Sequence, residues 1–202
     1  MMEGNLFYWF AWMLWIMSTF LMDKDNRNRL FYASILLIAM ILFPYHFFIG
    51  GVEVSVLLII QLVAAFIFAS RLKLSLQLFS VLTSFMTMLA YVSFQLLSIL
   101  DPVWLIADKG LLLAATLVLL ALLLHKSVFC QVIMIVLGSS FGEVVYGSLL
   151  HYYRMDVGIG SPAYFDSLLT GISSLAVLHM TKVFLARWEQ HIYLLEKEKQ
   201  KL

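Results

Sequence analysis

Ser127-Val-Phe-Cys-Gln-Val-Ile-Met-Ile-Val-Leu-Gly-Ser-Ser-Phe-Gly-Glu-Val-Val-Tyr-Gly-Ser-Leu-Leu150 carries one charged side chain, Glu143, in 24 residues. At a rise of about 1.5 Å per residue such a helix is roughly 36 Å long, enough to cross a hydrocarbon layer of about 30 Å. The run lacks the strict alternation of a barrel strand, and open strands in lipid would leave backbone groups unpaired. The stretch therefore reads as a membrane-spanning helix.

The same reading extends outward over the whole chain. Hydrophobic residues make up 63% of the 202 and charged residues 12%, with a mean hydropathy of +0.96. A soluble domain carries about 25% charged residues, and this chain has too little polar surface to face water on all sides. Cut at its charges and its Pro/Gly clusters, it yields seven apolar segments: 5–22, 30–49, 52–70, 75–100, 103–124, 127–150 and 165–187. Pro44 with Gly50-Gly51 marks a turn between the second and third, and Asp101-Pro102 parts the fourth from the fifth. The expected fold class is an all-α integral membrane protein, a bundle of about seven transmembrane helices (residues 1–187). A cytoplasmic amphipathic tail (188–202) follows. The first segment has no positive n-region and no small-residue cleavage site, so it reads as a retained span rather than a signal peptide.

Orientation follows from the basic residues. Eleven of the thirteen Lys and Arg fall on one side, in the first, third and fifth loops and at the C-terminal end from Lys182 on. Only Lys109 and Arg154 fall on the other. This predicts an outer N-terminus and a cytoplasmic C-terminus. The basic stripe with interleaved aromatics that nucleic acid requires is missing. The histidines His46, His125, His151, His179 and His191 are scattered without metal-ligand spacing, so neither a metal nor a cofactor is expected. Cys130, the single cysteine, sits in an apolar run and reads as a small core residue.

Among intramembrane polar residues Glu143 stands out, since a charge at that depth costs about 2.5–3.5 kcal/mol unless it faces protein or water. Helical spacing puts Ser139, Ser140, Tyr146 and Gly147 on its face. Asp108 and Lys109 in the fifth segment lie at a comparable level, so a Glu143–Lys109 ion pair is geometrically feasible. The set Glu143, Lys109, Asp108, Tyr146 and His179 has two readings: an ion pair or hydrogen bond that holds helices together, or the lining of a polar ligand or proton site. Gly138, Gly142 and Gly147 are read as helix-packing residues, Gly138-x-x-x-Gly142 allowing close approach of a neighbour. Gln61, Gln95 and Gln131 are expected to bond between helices.

After the last span, Trp188, Ile192, Leu195 and Leu202 follow 4-3-7 spacing, with Lys199 at the remaining seam position. The tail reads either as a basic segment lying on the anionic leaflet or as a seam for a homodimer or membrane partner.

The opening Glu3-Gly-Asn-Leu-Phe-Tyr-Trp-Phe-Ala-Trp12, the basic first loop and the Gly138–Gly147 stretch together resemble the YphA-type small polytopic membrane proteins of Bacillus-like Firmicutes. The resemblance implies a multi-pass protein of the bacterial plasma membrane and supplies no activity or catalytic residues. The functional expectation is a non-enzymatic sensor or scaffold acting through helix packing and its cytoplasmic tail. The alternative is a small transporter or channel subunit with a polar site around Glu143.

Overall fold

The computed structural model describes the backbone of residues 4–21, 29–155 and 157–199, and the side chains of 4–20, 29–155 and 157–189. The chain is mostly helical: α1 (Asn5–Ile16, continued by a π-helical turn Met17–Leu21), α2 (Arg29–Leu42), α3 (Val56–Ser70), α4 (Leu74–Leu100), α5 (Lys109–Leu124), α6 (Val128–Tyr152) and α7 (Pro162–Lys199). Three of these, Leu74–Leu100, Val128–Tyr152 and Pro162–Glu189, are long and apolar enough to cross a membrane. The helices α2, α3 and α5 are apolar but have 14, 15 and 16 residues. At about 1.5 Å per residue these reach roughly 21–24 Å, less than the hydrocarbon layer.

The segment 30–49 is not one helix. It stops at Leu42, and residues 46–55 form an antiparallel hairpin, β1 (His46–Ile49) and β2 (Val52–Ser55), with His46 opposite Ser55 and Ile49 opposite Val52. The physical reason lies in two signals. Pro44 offers no N–H and disfavours a helical Phe43. Gly50 and Gly51 adopt φ of +59° and +88°, the left-handed pair that a tight two-residue hairpin turn needs.

The fifth helix also begins later than expected. Residues 102–104 form a single 3-10 turn, and α5 starts at Lys109 with Asp108 as its N-cap. Asp108 and Lys109 thus stand at the start of this helix.

The helices α4 and α6 pack most closely. A Cβ on Gly138 would lie 2.5 Å from Thr87 Cβ, and one on Gly142 would lie 2.6 Å from the Tyr91 ring. Such contacts are shorter than any relaxed carbon–carbon approach, so this interface requires glycine at both positions. Met134, Ile135, Ser139 and Ser140 of α6 are fully buried. An aromatic cluster closes one end of the bundle: Phe7 stacks on Phe43 at 4.2 Å, and Phe165 meets both edge-on. Beyond Leu175, α7 presents Val177, Met180, Phe184 and Leu185 outward, the face that lipid solvates.

Candidate functional site: a polar cavity around Glu143

Glu143 is 2% exposed and held from two directions. Tyr91 of α4 donates its hydroxyl to Oε2 at 2.5 Å. The loop before α7 supplies Oε1 with the Gly160 N–H at 3.2 Å, the Ser161 N–H at 3.3 Å and the Ser161 hydroxyl at 3.4 Å. All these partners are donors, the set that a carboxylate acceptor needs. Gln95, one turn beyond Tyr91, donates Nε2 to the Tyr91 oxygen at 2.9 Å. Hydrogen bonds thus run in one direction, from Gln95 through Tyr91 to Glu143.

The hairpin places the loop. Ile159 donates its N–H to Glu53 O at 2.7 Å and accepts from Ser55 N–H at 2.9 Å, adding a short parallel bridge to β2. Gly160 follows at φ +80°, and a Cβ there would lie 2.7 Å from Ser55 Cβ. Only glycine turns the chain here so that its own N–H and that of Ser161 meet Glu143. Gly147 sits beneath the same loop, where a Cβ would lie 2.5 Å from Ile159 Cγ1.

On the other side of Glu143 a second network ties three helices. Tyr164 of α7 bonds Ser140 of α6 at 2.9 Å and accepts from Gln61 of α3 at 2.9 Å. Gln61 also donates to Ser140 at 3.1 Å. Of the three glutamines, Gln61 is the one whose bonds cross between helices. Gln95 bonds within α4, and Gln131 bonds the His125 carbonyl in the turn before its own helix, because each finds an acceptor within one or two turns of chain.

A cavity of about 490 Å³ opens beside Glu143. Five helix ends converge on it: Asn5 of α1, Gln95 of α4, Asp108 and Lys109 at the start of α5, Glu143 and Tyr146 of α6, and Asp166, Ser167 and Thr170 of α7. Two of its acids stabilise helix starts. Asp108 Oδ1 accepts from the N–H groups of Gly110 and Leu111 at 2.9 and 3.4 Å. Asp166 caps a different helix, accepting from Gly4 N–H at 2.7 Å and Phe7 N–H at 2.6 Å, across more than 150 residues of sequence. Both answer the unpaired amides and positive dipole of a helix N-terminus.

The structure therefore brings Glu143, Asp108, Lys109 and Tyr146 to one cavity. Glu143 is fixed by Tyr91 and the 160–161 loop. His179 is not part of the cavity: it lies three turns further along α7, exposed on the outward face. Trp188 is exposed, and the side chains of Ile192, Leu195 and Leu202 lie outside the described residues. Tyr91, Ser161 and Asp166 were not singled out from sequence. For Tyr91 the signal was present in Thr87, Tyr91 and Gln95, polar groups at i, i+4 and i+8 of an apolar helix. Asp166, the one acid in 165–187, was visible as a charge but not as a cap.

A family model described as YphA-like integral membrane protein matches residues 3–201. The chain belongs to that family. It is similar to the "Uncharacterized protein YphA" of Bacillus subtilis (strain 168), 23% identical over 172 residues, covering 85% of this chain and 84% of the relative. No solved structure matches. Membership agrees with the apolar helices in making this an integral membrane protein with lipid as its solvent.

Proposed function

We propose that this YphA-like protein is a membrane sensor that binds a small solute in the Glu143 cavity and passes the event along α7 to its cytoplasmic tail. The observation that carries this reading is the double role of α7. Its first turns line the cavity through Asp166, Ser167 and Thr170, and the same helix continues without a break to Lys199, 38 residues or about 57 Å. The proposal includes seven crossings of a bacterial plasma membrane, with the N-terminus, the hairpin and the cavity outside. The shorter helices would be accommodated by local thinning of the bilayer. The excess of Lys and Arg in the odd loops and tail supports that orientation. A tail that pairs with a second copy, or with a membrane partner, would complete the output.

The test replaces Cys130 by alanine, places a nitroxide on Trp188→Cys, and compares tail mobility with and without Glu143→Gln in lipid nanodiscs. A sensor gives a changed spectrum at position 188 when the cavity is altered. An unchanged spectrum in folded Glu143→Gln protein overturns the reading. For orientation, an impermeant maleimide should label Phe48→Cys on intact cells and label Trp188→Cys only after permeabilisation.

A transport reading has one observation in its favour. Buried hydroxyls continue from Tyr91 along α4 through Thr87, Ser84 and Thr83 to Ser80, and Thr83 meets His125 Nε2 at 2.9 Å. The seam is tight, however. Thr83 and Thr87 bond carbonyls of their own helix, and Gly138 closes on Thr87. Flux lost in Glu143→Gln proteoliposomes would favour transport over sensing.

A further inference from the structure

We infer that the cavity takes a small organic ammonium compound, its N–H groups received beside Gln95 and the cavity carboxylates. This deepens the reading of the cavity as a ligand site and rests on it. The first observation is Gln95, which lines the cavity while more than nine-tenths buried. Its amide orientation is fixed by its neighbours. The Tyr91 proton is committed to Glu143, so the Tyr91 oxygen needs a donor, and Gln95 Nε2 supplies it. A flipped amide would set two acceptors against each other. Oε1 is thereby left as an acceptor with no hydrogen-bond partner. Buried acceptors of this kind are uncommon, and a small turn of the side chain toward the cavity it lines would let a donor on a bound solute satisfy this one.

The second observation is charge. Among the described residues, Asp108, Glu143 and Asp166 line the cavity together with Lys109. Asp108 and Asp166 each accept two amide bonds, and a carboxylate has about four lone-pair sites, so acceptor capacity remains. The third is the spread of these groups. Among the described residues no three His, Cys, Asp or Glu side chains come together closely enough to hold a metal ion. Acceptors distributed around about 490 Å³ suit a molecule with N–H groups rather than a bare cation, and the volume falls within the usual range of small-ligand sites.

The test uses the full chain in phosphatidylcholine nanodiscs, with empty discs as blank. Calorimetry is run with n-butylamine and 1,4-diaminobutane, and with 1,4-butanediol and succinate as neutral and anionic probes of similar length. Saturable binding of an amine, and of neither control, is the expected result. Gln95→Leu should weaken it about tenfold or more. Asp108→Asn retains an N-capping side chain while removing a charge, and should weaken it severalfold. Folded protein that binds no amine, or binds succinate or the diol as well as it binds the amines, overturns the ammonium assignment. The nitroxide at position 188 separates the two proposals. If succinate or the diol saturates and shifts that label, the ligand class falls and the sensor stands. If an amine binds without moving it, the ammonium site stands and the sensor falls.

Discussion

Gly142→Ala tests the geometry on which the whole site depends. The new methyl would lie 2.6, 2.8 and 2.9 Å from Cδ1, Cγ and Cβ of Tyr91, about 1 Å inside the optimum carbon–carbon separation. Tyr91 has no room to retreat, being 1% exposed and bonded to both Glu143 and Gln95. Either α4 and α6 move apart, at an overpacking cost of about 1–3 kcal/mol, or Tyr91 also leaves Glu143 and roughly doubles that cost. Alanine's helix propensity opposes this by about 0.8–1 kcal/mol. The expected net result is a loss of about 2 kcal/mol. It can be followed as SDS-induced unfolding in mixed micelles, read by thiol labelling of the buried Cys130. The decisive arm is the double mutant. With Tyr91→Ala the ring contacts at 2.6 and 2.8 Å are gone and only the 2.9 Å approach to Cβ remains, so Gly142→Ala should cost about 1 kcal/mol less than in the parent. A Gly142→Ala protein as stable as the parent, or the same loss in the Tyr91→Ala background, would refute the close approach of α4 and α6 at this point.

Three further outcomes follow from the same network. Glu143→Gln sets an NH2 group among donors, so it should cost about 1–3 kcal/mol and speed amide exchange at Gly160 and Ser161. Asp166 accepts through both oxygens, so Asp166→Asn turns one acceptor into a donor and should lower stability by about 1 kcal/mol, with faster exchange at the Gly4 or Phe7 amide. In the turn after α5, burial holds His125 below its ordinary value of 6.5, so the folded state favours the neutral ring. Stability should therefore be full above about pH 6.5 and fall as pH drops toward the folded-state value, and His125→Gln should flatten that slope in an SDS-unfolding pH series.

The parts of the fold that composition controls were legible in the sequence. A run such as 127–150 has one stable form in lipid, and a lone Glu143 within it must find partners, which is why it could be singled out before its partners were known. The hairpin was not legible. His46–Ile49 is as apolar as the helix before it, and four-residue strands are too short to show alternation, so Pro44 and Gly50-Gly51 announced a turn without announcing strands. Asp108 was visible as a charge, but its role depends on where α5 begins, and helix starts are poorly fixed by hydropathy. Asp166 was harder still. Its partners are backbone amides of α1, which have no side-chain signature, at the far end of the chain.

The distribution of packing within the bundle bears on which helix could respond to an occupied cavity. The interface between α4 and α6 is locked by two glycines against Thr87 and Tyr91, and a packed interface of this kind does not deform continuously. The loop that reaches Glu143 is fastened to the hairpin through Ile159. In contrast, α7 meets the cavity at its first turns, leaves room for a Cβ on Gly171 beside Ala114 of α5, and beyond Leu175 turns mostly outward. A solute that drew on Asp166 or Thr170 would therefore act on a helix whose far half, residues 176–189, is exposed. The same bond network would resist motion in α4 and α6. If solute binding is read out by any part of this molecule, mechanics favour α7, and a label at position 188 is the place to look.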